Sequence, residues 1–512
     1  GGLPDYAVAV KGDTNNTVRS FGMNYYIQDD IHVVPRLLLN VGLRYEYNSP
    51  PTEEHNRYSV PDLSANSATC TPVPDCQFIL AGTNGIPRAT YHPTYTDFAP
   101  RIGVAWRPMK TERWVVRAAY GIFYDVGIFN INVFPRFNPP FYDLSYFPNS
   151  GNNVIQNILD QPAQAIVEPN LISPNFHDGY MQQWNVDLQY ELQPNWMMDV
   201  AYVGSKGTRL PDVRDLNQTN PATGLAPYPQ FSSILFVESE ANSSYNSLQI
   251  RSERRVGLGF TILGAYTFSK SLDDVSAVFG GSVGSGLPQN SQNLNGDRAL
   301  SDFNVRQRLV VSSVYDLPFG RKWLTQPGWR KSLLGNWQAG GILTAQTGSP
   351  FTVNLASSQS GSAIAAFGNP YRPDLVGNPF KPGAVMANPD PACHSTISQG
   401  GLAADVVGQP SSWFNTCAFA QPPAGQFGDA GRNIMTGPGI ANLDFSLYRN
   451  ILFHTEGHRL QLRAEVFNLF NHPNFDIPNH VMGSPNFGEV LSENSYGNKP
   501  PRQIQVGIKY IF

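Results

Sequence analysis

The feature that most limits what this chain can fold into is a two-residue alternation of apolar and polar side chains, sustained over unusually long segments. The clearest runs from Gln183 to Leu192, with Trp184, Val186, Leu188, Tyr190 and Leu192 on one face and Gln183, Asn185, Asp187, Gln189 and Glu191 on the other. A helix would scatter these residues around its circumference, whereas a strand separates them cleanly. Leu37, Leu39, Val41, Leu43, Tyr45 and Tyr47 repeat the pattern, opposed by Arg36, Asn40, Arg44 and Glu46, with Leu38 as an exception. Trp114, Val116, Ala118, Tyr120, Ile122 and Tyr124 repeat it again, as do Ile504, Val506, Ile508, Tyr510 and Phe512.

Thirteen such segments are predicted, near 19–31, 36–47, 99–107, 113–125, 180–192, 195–204, 245–256, 258–270, 306–317, 336–347, 441–453, 458–470 and 502–512. Ordinary globular strands average five or six residues, while a tilted strand needs about 9–11 to cross a membrane, and most of these segments are of the longer kind. The connections alternate as well. Short ones at 32–35, 108–112, 193–194, 257 and 454–457, and an intermediate one at 318–335, interleave with long ones at 48–98, 126–179, 205–244, 271–305, 348–440 and 471–501. Structureless loops beyond ~15 residues count against a compact soluble domain. An outer-membrane barrel has short turns on its periplasmic side and long loops outside.

Composition points the same way. Charged residues are only 14%, aromatics 12% and net charge −4. Soluble globular chains carry about 25% charge, and disordered ones lack aromatics. No run of 18 apolar residues exists to make a membrane helix, and mean hydropathy is −0.27. A transmembrane β-barrel reconciles these values, because each strand shows lipid only every second side chain. The expected fold is therefore all-β: an antiparallel up-and-down transmembrane barrel, seen here as about thirteen long strands. Single-chain bacterial barrels have even strand numbers, so an odd count predicts further strands before Gly1. The thirteen visible strands would then form either an open curved sheet or a closure between 19–31 and 502–512.

The motifs now on the page resemble a known family. Tyr25-Tyr26-Ile27-Gln28-Asp29-Asp30, Leu39-Asn40-Val41-Gly42-Leu43-Arg44-Tyr45-Glu46, Phe98-Ala99-Pro100-Arg101-Ile102-Gly103 and Tyr120-Gly121-Ile122-Phe123-Tyr124-Asp125 are similar to stretches of TonB-dependent outer-membrane receptors. So are Tyr315-Asp316-Leu317-Pro318-Phe319-Gly320, Arg372-Pro373-Asp374-Leu375-Val376-Gly377, Arg463-Ala464-Glu465-Val466-Phe467-Asn468-Leu469-Phe470 and the closing Arg502–Phe512. The likeness is greatest to the large Oar-like members that carry an N-terminal carboxypeptidase-regulatory-like domain. The resemblance implies a 22-stranded parent barrel in the bacterial outer membrane, a plug domain inside it, and a TonB-contacting segment ahead of the plug. This chain matches the C-terminal barrel portion alone.

Candidate functional residues follow from both readings. Arg36, Arg44, Glu46, Arg101, Arg117, Asp187, Gln189, Glu191, Arg463 and Glu465 are expected to face the lumen, paired across strands, as a surface for plug or solute. Tyr45, Tyr47, Trp106, Trp114, Trp184, Trp196, Tyr202 and Trp337 are expected in aromatic girdles where lipid meets water. Ile504, Val506, Ile508, Tyr510 and Phe512 resemble the terminal signal read by the barrel assembly machinery, which fits strand addition to an open edge. Cys70, Cys76, Cys393 and Cys417 sit as two pairs inside loops, as loop-stapling disulfides do in an oxidising compartment; free thiols are the alternative.

No catalytic constellation or cofactor motif is found: there is no His-Glu-x-x-His. No Lys/Arg block suggests nucleic acid. The expected role is TonB-linked uptake of a large or scarce solute such as an oligosaccharide, peptide or chelated metal. A surface or adhesion barrel that only displays its loops is one alternative. The other is a soluble secreted carbohydrate-active β protein, which would bury its apolar stripes against a second layer.

Overall fold

The computed structural model describes the chain apart from residues 1–5, 14, 65–76, 126–132, 149–163, 166–167, 258, 279–285, 320–322, 324–325, 327, 357–369, 453–457 and 494–500. One large antiparallel sheet holds thirteen long strands. These are β1 (Gly22–Val34), β2 (Leu37–Asn48), β3 (Asp97–Trp106), β4 (Trp114–Asp125), β5 (Gly179–Gln193), β6 (Trp196–Asp215) and β7 (Leu235–Val256). They continue as β8 (Phe260–Asp273), β9 (Gln307–Asp316), β10 (Trp337–Gln346), β11 (Ile440–Leu452), β12 (Arg459–Phe467) and β13 (Gln503–Ile511). Sequence neighbours are sheet neighbours throughout, which is the up-and-down order expected. Short strands Asn170–Ile172 and Ala299–Leu300 bring the sheet to 15. Among the described residues β1 and β13 pair with no common partner and not with each other, so the sheet is open rather than closed on itself.

Register keeps the two faces distinct across the wall. Val186, Tyr202, Leu248 and Phe268 lie side by side from β5 to β8. One residue along, Asp187, Ala201, Gln249, Thr267 and Arg308 form the parallel row of the other face from β5 to β9. Large apolar side chains on the first face stay exposed, with Val186 at 51% and Leu248 at 41%. No second sheet or helical layer covers them among the described residues, which removes the soluble secreted reading. Lipid is the missing layer, and the ladder pairs each inner strand with a neighbour on both sides.

Glycine enters the wall where an aromatic ring needs room. The indole of Trp184 lies over Gly204, where an added Cβ would come within 2.4 Å of the ring. The two-residue turn Pro194–Asn195 reverses the chain between β5 and β6, with Asn195 in the left-handed region at φ 68° that its side chain tolerates.

The enclosed hydrophobic core lies in the connections and against the outer ends of β6 and β7. Tyr91, Phe134, Ile172, Phe176, Val213, Leu235 and Val237 form one buried cluster. Phe351, Val353, Phe414, Ala418, Phe419, Ala430 and Met435 form a second, within the 347–439 connection. Tyr58, Ala81 and Val133 form a third. The long connections are thus a folded cap on the outer ends of the strands.

This cap corrects one expectation. The segments 195–204 and 245–256 predict a loop over 205–244, but β6 runs 20 residues and β7 runs 22, leaving only 216–234 as the connector. The strands outrun the membrane as a twisted hairpin. Register shifts between Gly207 and Leu210 and between Leu210 and Asp212 break the period of two there, so the alternation signal fails. The buried side of that hairpin meets protein rather than lipid.

A charge on the lipid-facing row should be costly and one on the next residue should not. Leu248→Arg is expected to destabilise the wall by ~2–4 kcal/mol and to cut assembly into the outer membrane, while Gln249→Arg changes either by little. Urea unfolding from lipid vesicles and heat-modifiable gel mobility of the two variants check this; equal effects at both positions would refute the face assignment.

Candidate functional site: the polar wall and the outer cap

Of the ten residues expected to face inward, nine share one face by register. Arg44 and Glu46 on β2, Arg101 on β3, Arg117 on β4, Asp187, Gln189 and Glu191 on β5, and Arg463 and Glu465 on β12 all fall on the row opposite the lipid stripe. Arg36 does not join them. It lies in the two-residue turn before β2, where its carbonyl accepts the N–H of Arg107 at 2.9 Å. Pro35 fixes that turn, and the strand begins only at Leu37.

Some of these residues pair, within a strand or across neighbouring ones. Arg44 pairs with Glu46 at 3.0 Å. Arg117 reaches Asp187 at 3.4 Å and donates to Gln189 at 2.9 Å. Tyr448 donates to Glu465 at 2.7 Å, while the guanidinium of Arg463 lies 5.0 Å from the centre of the same ring. Arg251, which the sequence reading did not single out, lies 3.6 Å from Asp199 and 2.9 Å from Glu253. Between the Arg117 and Arg251 groups the wall has a depression of about 380 Å3. Alternating charge in this density makes a polar, hydrogen-bonding surface and no nucleophile or acid–base couple.

The aromatic candidates divide by position. Trp106 ends β3, and Trp114, Trp196 and Trp337 begin β4, β6 and β10, all beside the short turns. Trp114 stacks on Tyr190 at 4.1 Å, and arginines cover two of the others: Arg254 lies 4.7 Å from Trp196 and Arg449 5.7 Å from Trp337. Tyr45 and Tyr47 sit at the opposite end of β2, packed on Phe98 and Tyr95. Trp184 and Tyr202 lie further inside their strands. The hydroxyl of Tyr202 donates to Asn246 at 2.6 Å, so the phenol does not need the water interface to satisfy it.

On β13, Ile504, Val506 and Ile508 are 69–77% exposed and continue the lipid stripe to Tyr510 and Phe512, whose rings stack at 6.1 Å. Cys393 and Cys417 form a disulfide within the 347–439 connection. Cys70 and Cys76 lie outside the described residues.

What the sequence reading missed is how the cap is tied to the wall. Arg432 inserts its guanidinium among the outer ends of β8 and its following loop. It forms an ion pair with Asp273, donates to the carbonyls of Asp273 at 2.8 Å and Asp297 at 2.7 Å, and lies 3.6 Å from Asp302. Arg372, in the Arg-Pro-Asp motif, pairs with the buried carboxylate of Asp297. Gln289 donates to the carbonyl of Gly428 at 2.8 Å and accepts the N–H of Arg372 at 2.7 Å. The connections after β8 and β10 thereby close over one another.

A second buried polar point lies at the outer end of β3 and β5. Asp97 and Asp178 bring their carboxyls together, and one oxygen of each is enclosed without a donor. Burial, then the charge of Asp97, pushes the Asp178 carboxyl up to about 7. The folded state therefore holds this proton more tightly than the unfolded chain does. Its stabilising contribution is complete below the ordinary carboxylate range and is lost as pH rises through about 7.

Two outcomes are expected. Asp178→Asn should raise the melting temperature at pH 8 relative to the parent, raise it less at pH 5 and leave it nearly unchanged below the ordinary carboxylate range; a loss of stability at pH 8 would contradict the assignment. Arg432→Met leaves Asp273 buried without its cation, a change that costs ~3–5 kcal/mol for enclosed pairs. Limited proteolysis should then cut the 347–439 connection faster while the wall strands stay protected.

A family model described as Outer membrane beta barrel domain matches residues 2–505. Among solved structures, the outer membrane transporter YddB from Escherichia coli superposes with a TM-score of 0.50 at 9% identity, covering 96% of this chain and 45% of that one. The ferripyoverdine receptor of the outer membrane of Pseudomonas aeruginosa gives 0.46 at 10% identity, with 97% and 39% covered. The FrpB iron transporter from Neisseria meningitidis gives 0.45 at 11%, with 97% and 46% covered. At such identities the likeness is one of fold. The chain spans about 45% of the length of the first of these structures. No curated protein matches it in sequence.

Proposed function

The chain belongs to the outer membrane β-barrel domain family and lies in the bacterial outer membrane, and from that premise we propose that it is the C-terminal wall and outer cap of a TonB-linked uptake receptor. The solute is a large or scarce one: an oligosaccharide, a peptide or a chelated metal. The observation that carries this reading is the pairing of a charged, hydrogen-bonded face along the strands with a cap whose connections are folded and mutually tied. A pore for bulk diffusion needs no such cap. A recognition surface does, because loops select a ligand only when a scaffold holds them in place.

The polar face is the surface on which a plug domain packs, through residues such as Arg101, Arg117, Glu191 and Arg463. TonB engages through a segment outside this chain, and the sequence likeness to Oar-like receptors supports that arrangement. Ile504 through Phe512 carry the signal for the barrel assembly machinery. The wall and cap bind and guide.

The test is energised uptake by cells that make the full-length protein. Accumulation of an oligosaccharide, peptide or chelated metal should depend on the protein and should stop when the proton-motive force is collapsed or TonB is removed. Cells whose adhesion changes with the protein, while uptake of every solute class stays the same, would overturn the transport reading in favour of surface display.

A further inference from the structure

Between the outer ends of β6, β7 and β8 and the connection that follows β8 lies a cavity of about 350 Å3. That is the lower end of the size range of small-molecule sites. Its walls are polar: Asp212, Arg214, Glu240, Asn242, Asp274, Gln292, Asn293, Asn295, Asp297 and Arg432 supply most of the lining, with Val213, Val275 and Leu287 between them.

The charges around it do not balance. Every arginine at the cavity is already matched. Arg214 holds Glu238 through two contacts, at 2.6 and 3.1 Å. Arg432 is committed to Asp273. Among the carboxylates, Asp274 has Arg298 at 2.8 Å and Asp297 has Arg372. Among the described residues Asp212 and Glu240 form no ion pair, and the Lys206 ammonium beside them donates to the side-chain oxygen of Asn242 at 3.0 Å. Asp212 is only 7% exposed, and one of its oxygens accepts the N–H of Glu240 at 3.1 Å. A carboxylate withdrawn from water without a counter-ion in ion-pair contact is unfavourable.

We propose that this cavity binds a solute through a primary ammonium group, which Asp212 receives as counter-ion, with Glu240 at the rim and the side-chain amides of Asn293 and Asn295 accepting its remaining N–H bonds. An ammonium has three donors and no acceptor, which suits a pocket whose free groups are acceptors. The inference deepens the uptake reading by naming a recognition element of the solute. The ligand class is an amine-bearing one: an amino sugar unit, or the lysine side chain or amino terminus of a peptide.

The charge state of Asp212 supplies an independent readout. Burial, chiefly, pushes its carboxyl up to about 7, helped by Glu238 and Glu240 and opposed by Arg214. The other charged groups facing the cavity are Asp274, Arg298, Asp297 and Arg432, all in ion pairs, and Lys206, which donates to the side-chain oxygen of Asn242 at 3.0 Å. In the empty site Asp212 therefore holds a proton below about pH 7 and releases it above. An ammonium favours the charged form, so binding strengthens as pH rises through that value and expels a proton below it.

The experiment is titration calorimetry on the full-length protein in detergent, with 1,5-diaminopentane as probe and 1,5-pentanediol as its neutral counterpart. Alkyl ammonium groups stay charged across pH 6–8, so pH dependence in that window reports on the protein. The diamine should give saturable heat and the diol none. Affinity should rise from pH 6 to pH 8, with proton release that depends on buffer ionisation at pH 6. Asp212→Asn should weaken binding about tenfold or more and flatten the pH dependence, in keeping with the loss of a charge-assisted hydrogen bond. Glu240→Gln, at the exposed rim, should weaken it less while leaving the fold intact. Absence of saturable diamine binding overturns the proposal, as does equal binding of the diol or an unchanged affinity in both variants. Diamine binding without energised uptake would sink the transport reading and leave this one standing; uptake with no amine preference would do the reverse.

Discussion

The structure depends on one constraint: inside hydrocarbon, a backbone amide has no water to bond to, so each strand must be completed by the next. The wall from β1 to β13 obeys it without interruption, every pairing antiparallel and between sequence neighbours. Once the ladder is obligatory, side chains have two destinations and not three. They meet lipid or they meet the polar side, and the pleat assigns them alternately. Hence a wall with no core of its own, where Leu248 and Val186 are as exposed as surface residues in water would be and Asp187 and Gln249 take the other face.

Beyond the membrane the constraint changes, and so does the architecture. Water is available again, so connections can be long and irregular, but order requires burial. The cap supplies it with its own hydrophobic clusters around Phe176 and Phe414 and with buried ion pairs at Arg372 and Arg432. Enclosed pairs of this kind contribute little net stability, but breaking one is costly, so they specify a geometry more than they strengthen it. Here the geometry is the placement of the connection after β10 against the outer end of β8. Function inherits the division: the wall holds register and the cap holds shape, and the cavity beside Asp212 exists because the two meet there.

Much of the wall was legible in the sequence. All thirteen strands lie where the alternation put them, because facing lipid on one side leaves a period-two trace that needs no knowledge of the neighbours. The polar set was legible for the same reason, from Arg44 to Glu465. Its single departure, Arg36, sits where a turn and not a strand decides the direction. The outer hairpin of β6 and β7 was not legible. Its bulges at Gly207 and Leu210 shift the phase of the pattern, and residues such as Ser243 and Ser244 carry no apolar signal.

What the sequence by itself determined is the number of strands, their order and which face of each turns to lipid. These are local properties, written in side-chain polarity at fixed spacing along a chain that pairs with its own neighbours. What only the tertiary structure decided is the cap: that Arg432 finds Asp273 across 159 residues, that Arg372 neutralises Asp297, and that Asp212 is buried at the edge of a polar cavity. Contacts between distant loops leave no periodic trace, since they are selected by shape and charge in three dimensions.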